Sequence, residues 1–190
     1  MIPPTDAFEA GLRIAAALER AGVSYALGGA LAYGQYGIPR ATNDVDVNVF
    51  VSEQGLPAVF AALRSIDIVI DDPAATRAAE REGLIVLRFA DFRVDVFTPS
   101  IAFSREAEQT RVRHRIEGQE VWFLSAEALA VFKLLFFRSK DLVDLERLLA
   151  VSGATIDLAW VRAQLVELMG ADDPRVVAWD RLCADHVRTT

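Results

Sequence analysis

Two aspartates one residue apart, Asp44 and Asp46, lie in the stretch N-D-V-D-V-N-V-F-V, a short way after a glycine pair, Gly28-Gly29. From Asn43 to Val51, Val45, Val47, Val49 and Val51 alternate with Asp44, Asp46 and Asn48, the period-two pattern of a strand with one apolar and one polar face. Both carboxylates therefore project from the same face, their alpha carbons roughly 6.6 Å apart. At that spacing they repel each other unless a cation lies between them. Hard oxygen donors so placed suit Mg²⁺, which takes one or two carboxylates together with substrate phosphates. Glycines at 28 and 29 let the backbone approach a ligand closely, and the free N–H groups of a helix starting there attract phosphate. The combination points to metal-assisted phosphoryl chemistry. The competing reading is a solvent-facing strand with ordinary acids beside a turn.

Further along, Asp95 alternates with Val94 and Val96 in the run Phe92 to Phe97, about fifty residues after Asp46. If that run pairs with the strand bearing Asp44 and Asp46, three carboxylates converge; if it does not, Asp95 is a surface residue. Lys133 interrupts an otherwise apolar helix. Such a lysine usually snorkels outward, but a compact charge there can also reach a triphosphate. Lys140 and Asp144 stand in an i,i+4 relation, and Asp141 falls in the first turn of a helix, where an acid is favoured in any case. Arg105, Arg111, Arg113, His114 and Arg115 form a basic segment, read either as a solvated hairpin or as a contact for an RNA backbone.

The elements that must position these residues follow from patterning. Thr5-Asp6 with Glu9 three residues after Asp6 starts a helix whose stripe is Phe8, Leu12, Ala15 and Leu18, and Gly22 stops it. Ser24 to Leu27 reads as a short strand, followed by a helix from Gly28-Gly29 to about Tyr36. Gly55 and Pro57 introduce a helix facing Val59, Phe60 and Leu63 inward, with a possible strand from Ile66 to Ile70. Asp71-Asp72-Pro73 is a turn, and Ala74 to Glu82 is a polar helix expected as an exposed insertion. Leu84 to Phe89 with Phe92 to Phe97, and Val112 to Ile116 with Glu120 to Leu124, read as hairpins. From Ser125 onward the pattern is helical, with Ser125 and Ser139 as caps and two final helices, Asp157 to Met169 and Pro174 to about Val187. The expected class is α+β: a mixed sheet flanked by helices, residues 1–124 forming the core and residues 125–190 a helical bundle packed on it.

Composition narrows the setting. A chain of 190 residues with 53% hydrophobic and 25% charged residues can bury a substantial core. A net charge of −7 opposes broad nonspecific affinity for nucleic acid. One cysteine, Cys183, leaves no partner for an internal disulfide and fits a reducing compartment. The opening M-I-P-P-T-D lacks the basic-then-apolar order of a secretory signal, and Ala128 to Phe137 is too short to span a bilayer, so a cytoplasmic protein is expected.

Taken together, Gly28-Gly29, Asp44-Val45-Asp46 and Asp95 resemble the signature of the nucleotidyltransferase superfamily. The segment Arg40-Ala41-Thr42-Asn43-Asp44-Val45-Asp46, Lys133, and Lys140-Asp141-Leu142-Val143-Asp144 are similar to the minimal nucleotidyltransferases of the AbiEii toxin type, a resemblance covering roughly residues 24–149. It implies two Mg²⁺ ions held by Asp44, Asp46 and Asp95, phosphates of an NTP admitted by Gly28 and Gly29 and held by Lys133, and an acceptor hydroxyl activated by Asp95. It also implies that Arg40 touches phosphate or acceptor and that Asp141 assists the acceptor. The toxin-like members act on the 3′ end of tRNA and imply an antitoxin partner. Two departures stand out: Gly29 replaces a common serine, and fourteen residues lie between Gly29 and Asp44. Lincosamide-type transferases, which act on small hydroxylated molecules, resemble the segment too but tend to carry histidine where Thr42 stands. A third possibility is an interaction protein that keeps the fold without turnover.

Overall fold

The computed structural model describes residues 2–189. In chain order these residues form α1 (Ala7–Arg20), β1 (Tyr25–Leu27), α2 (Gly29–Tyr36), β2 (Asp44–Val49), α3 (Leu56–Arg64), α4 (Asp72–Glu82), β3 (Leu84–Phe89) and β4 (Phe92–Phe97). They continue with α5 (Ser104–Thr110), β5 (Val112–Ile116), β6 (Gln119–Phe123), α6 (Ala126–Phe136), α7 (Ser139–Ser152), α8 (Leu158–Met169) and α9 (Pro174–Thr189). The strands make one six-stranded sheet in the order β3-β4-β2-β1-β6-β5. β2 runs parallel to β4 and β1 parallel to β6, while the other three pairings are antiparallel, so the expected mixed sheet is present.

Alternation decides which face of β2 is covered. Val45, Val47 and Val49 are buried, as are Val94 and Val96 on the neighbouring β4 and Ile14 and Leu18 of α1. α1 and α3 pack together on this side, and α2 packs against α6. One hydrophobic cluster runs from Ala7 to Trp179, through the sheet and into α6–α9. α1 begins as expected, the Asp6 side chain accepting from the Glu9 amide at 2.8 Å while Glu9 accepts from the Thr5 amide and hydroxyl at 2.7 Å.

Two local expectations are corrected and one is refined. Ile66 to Ile70 is not a strand: the amides of Ile66 and Ile68 return to the Leu63 carbonyl at the end of α3, which removes them from any ladder. Ile66 and Ile68 are nonetheless buried while Val69 is exposed, so the alternation reflects a folded-back loop. The helix at 72–82 is polar and largely exposed as expected, yet it is packed on the fold, because Ala75 and Ala79 bury themselves with β3 as neighbour. Ser139 does not cap α7. Arg138 is the cap residue, and Asp141 closes the turn by accepting from its backbone amide at 3.2 Å. Among the described residues no helix is long and apolar enough to cross a membrane.

Candidate active site

The parallel ladder between β2 and β4 brings Asp46 opposite Asp95 and Asp44 opposite Arg93. Residues paired in a ladder share a face, so Asp44, Asp46 and Asp95 stand on one surface of the sheet, across from the valines that anchor β2 in the core. All three line a cleft that is open to solvent; Gly29, Arg40, Thr42, Lys133, Arg138 and Asp141 also line it.

Gly28 and Gly29 form its tight corner. The Gly28 amide donates to the Asp46 carbonyl at 2.8 Å, tying the start of α2 to β2. Gly29 has φ +50, and a Cβ placed on it would lie 1.7 Å from Asp46 Oδ2. A side chain here would be strained and would have to displace the Asp46 carboxylate, both of which glycine avoids. The departure from serine thus has a local cause: the Asp46 carboxylate occupies the space a side chain would need.

Crowding shows in the chemistry of Asp46. Burial, followed by the charges of Asp95 and Asp44, pushes its carboxyl up from 3.8 to about 6, while Lys133 and Arg138 pull the other way. Asp95 is held by Arg93, whose Nε donates to Oδ1 at 2.7 Å. The Thr42 hydroxyl accepts from the Asp44 amide at 3.1 Å and fixes the entry into β2.

The opposite wall comes from α6 and α7. Lys133 neither snorkels outward nor pairs loosely. It is buried, 6% exposed, with Nζ 2.7 Å from Asp144 Oδ2, 3.8 Å from Asp141 Oδ1, and 5.3 Å from the centre of the Tyr33 ring. Asp144 also accepts from Arg40 at 3.5 Å. The expected Lys140–Asp144 pair is therefore replaced by longer-range partners, because α7 turns Asp144 inward. Asp141 is 2% exposed. Burial alone would raise its carboxyl, but two hydrogen bonds from the Arg138 guanidinium, at 2.6 and 3.1 Å, together with the charges of Arg138 and Lys133, hold it below the ordinary carboxylate range. Asp44, Asp46, Asp95, Gly29, Arg40, Lys133 and Asp141 line the cleft directly and Gly28 caps the helix that does, whereas Asp144 sits behind Lys133 and the basic segment from Arg105 to Arg115 is not part of the lining.

Three contributors escaped the sequence reading. Arg138 orders Asp141 and lines the cleft, Arg93 holds Asp95, and Phe97, Phe132 and Phe136 give the cleft an apolar side. The i,i+2 spacing of Arg93 and Asp95 on one strand was the available signal for the second; an apolar helix face concealed the third.

The fit to a divalent cation can be tested on the donors themselves. Among the described residues no three His, Cys, Asp or Glu side chains already gather as a cage. The three aspartates do supply hard oxygens on one wall, and a raised carboxyl crowded by like charges is what a cation relieves. Mg²⁺ requires only one or two carboxylates when phosphates complete its shell, so the set fits an ion that arrives with a nucleotide.

Comparison with solved structures places the fold. The chain is similar to the antibiotic-resistance factor ANT(2'')-Ia, solved in complex with adenylyl-2''-tobramycin, at 13% identity and TM-score 0.51, covering 96% of this chain and 97% of that one. It is similar to an antigenic nucleotidyltransferase-like protein from Paracoccidioides brasiliensis at 17% identity and TM-score 0.50, covering 93% and 94%. It is also similar to the lincosamide antibiotic adenylyltransferase LnuA in its lincomycin-bound form, at 16% identity and TM-score 0.50, covering 74% and 95%. No protein-family model and no curated protein sequence matches the chain. The fold is that of the nucleotidyltransferase-like proteins.

Proposed function

We propose that the chain is a nucleotidyltransferase that moves an NMP from an NTP to an acceptor hydroxyl and releases pyrophosphate. The observation that carries this reading is the ladder register that sets Asp95 opposite Asp46, with Asp44 beside them, next to the Gly28-Gly29 corner and beneath buried Lys133. Asp44, Asp46 and Asp95 would hold Mg²⁺, which when bound supplies charge neutralisation for the entering and leaving oxygens. Gly28 and Gly29 leave room for phosphate at the start of α2. Lys133, Arg40 and Arg138 place positive charge on the facing wall, where the triphosphate would lie. The acceptor oxygen bonds to the α-phosphorus as the α–β bridging bond breaks. Asp95 takes the hydroxyl proton and pyrophosphate carries away the electron pair. Asp141, fully engaged with Arg138 and close to Lys133, serves by holding those two cations in line rather than by meeting the acceptor. Catalysis of this kind is mostly positioning and electrostatics.

For the acceptor, the R-A-T-N-D-V-D segment and the K-D-L-V-D helix favour the tRNA 3′ end, with the chain acting as the toxin of a toxin–antitoxin pair. A small hydroxylated antibiotic is the second reading, and a specific observation favours it. Two arginines of the basic segment are spent within the fold, Arg111 on Glu108 and Trp122, and Arg113 on Glu19 and Glu120. Incubating the purified protein with labelled NTPs, Mg²⁺ and either total tRNA or an aminoglycoside and lincosamide panel separates the two. Label on RNA supports the first, label on a small molecule the second. Absence of label under every condition leaves a non-catalytic interaction protein. Asp46→Ala should abolish transfer with the fold intact; retained transfer would contradict the assignment.

A further inference from the structure

Arg93 has no part in the scheme above, yet it is the cation placed within the carboxylate wall. The ladder rows on that face read Arg88, Arg93, Asp44 and then Val86, Asp95, Asp46 across β3, β4 and β2. Arg93 therefore lies directly across from Asp44 while its guanidinium reaches along β4 to Asp95. The other cations around it, on the facing wall and on β3, are otherwise engaged. Lys133 is bound to Asp144 and Asp141, Arg138 holds Asp141 through two hydrogen bonds, and Arg88 donates to the Asp91 carbonyl.

The form of the Arg93–Asp95 contact matters as much as its presence. A single hydrogen bond of 2.7 Å joins Nε to Oδ1, with the arginine side chain 49% exposed and the aspartate 15%. The Arg138 guanidinium is as exposed as that of Arg93, but it grips Asp141, 2% exposed, through two hydrogen bonds; the Arg93–Asp95 pair has one point of contact on a more accessible aspartate, is held weakly and can be exchanged. A divalent ion drawing on Asp95 would compete for that same carboxylate.

We propose, building on the reading of Asp44, Asp46 and Asp95 as a cation site, that Arg93 is a displaceable counter-cation. It neutralises Asp95 while the site holds no divalent ion, swings off when one loads, and so lowers the intrinsic affinity of the protein for the ion. The consequence is a site that retains its cation firmly only when nucleotide phosphates add their own oxygens.

The test is a Mn²⁺ titration of the full-length protein without nucleotide, free Mn²⁺ being followed by electron paramagnetic resonance. Giving up the charge-assisted Arg93–Asp95 hydrogen bond to admit the ion costs on the order of tenfold in affinity. Arg93→Gln should therefore bind Mn²⁺ about tenfold more tightly than the wild type, and Arg93→Lys, which keeps the charge, should stay within about threefold. Unchanged or weaker binding by Arg93→Gln overturns the proposal. A second measurement avoids substitution: the Arg93 Nε–H proton resonance of the wild type should shift as Mg²⁺ is added, and a resonance that stays put through saturation overturns it as well. Asp46→Asn locates the ion, since undiminished Mn²⁺ binding there would put the cation elsewhere and sink both this inference and the reading it rests on. Tightened binding by Arg93→Gln together with absence of nucleotidyl transfer by the wild type would sink the proposed activity alone.

Discussion

Replacing Asp46 by asparagine should make the protein more stable at neutral pH while removing its activity, and the size of the gain follows from the site. Burial and the charges of Asp95 and Asp44 raise the Asp46 carboxyl from 3.8 to about 6. Below pH 3.8 both folded and unfolded chains carry the proton, and Asp46 costs the fold nothing by ionisation. Between 3.8 and about 6 the unfolded chain releases the proton while the folded one keeps it, so stability falls as pH rises. Above 6 the loss is complete. At about 1.4 kcal/mol per tenfold change in proton affinity, the full loss is about 3 kcal/mol, an upper figure because the site can relax and admit water. Asparagine keeps the shape and cannot ionise. The assay is urea unfolding of wild type and Asp46→Asn from pH 3.5 to 8 in a chelating buffer, with the difference in unfolding free energy plotted against pH. That difference should be near zero at the acid end, grow in favour of the variant through pH 4–6, and level off at about 2–3 kcal/mol. A flat difference, or one favouring the wild type at pH 7.5, would refute the idea that crowded carboxylates strain the site. Adding Mg²⁺ with a non-hydrolysable NTP should narrow the gap by stabilising only the wild type.

The facing wall gives two further expectations. Lys133→Met leaves Asp144 buried with only the 3.5 Å contact to Arg40 as charge partner, and should destabilise by about 3–5 kcal/mol in urea unfolding. The double variant Lys133→Met with Asp144→Leu should recover most of that stability without recovering transfer, and recovery of transfer would deny Lys133 its role. Gly29→Ser forces a side chain into a φ +50 position whose Cβ meets Asp46 Oδ2, so it should lower thermal stability by about 1–3 kcal/mol equivalent and reduce transfer. A serine variant as stable and as active as the wild type would mean that the corner is looser than its geometry indicates.

What neighbours along the chain encode was readable without coordinates. The two faces of β2 follow from alternating valines, and the caps at Asp6 and Ser125 follow from side chains that reach an amide three residues on. The glycine corner was visible as a pair, because glycine adopts such a turn without strain and leaves room beside it. These features depend on interactions within a few residues, which is why composition and spacing carry them. The strand expected at Ile66 to Ile70 failed because burial at alternate positions does not specify a ladder partner.

Which distant groups meet was decided by tertiary structure. Asp95 becomes part of the acidic wall only because β4 lies parallel to β2 in a register that sets it opposite Asp46; a slip of one residue would turn it into the core. Asp144 prefers Lys133 over its helical neighbour Lys140 because α7 presents it to the buried side of the cleft, where an ion pair escapes screening by water. The raised carboxyl of Asp46 arises the same way, from burial and from charges on another strand. Types and spacing along the chain supplied the reactive groups, and packing across it determined their partners, because electrostatic and steric coupling act through space rather than along sequence.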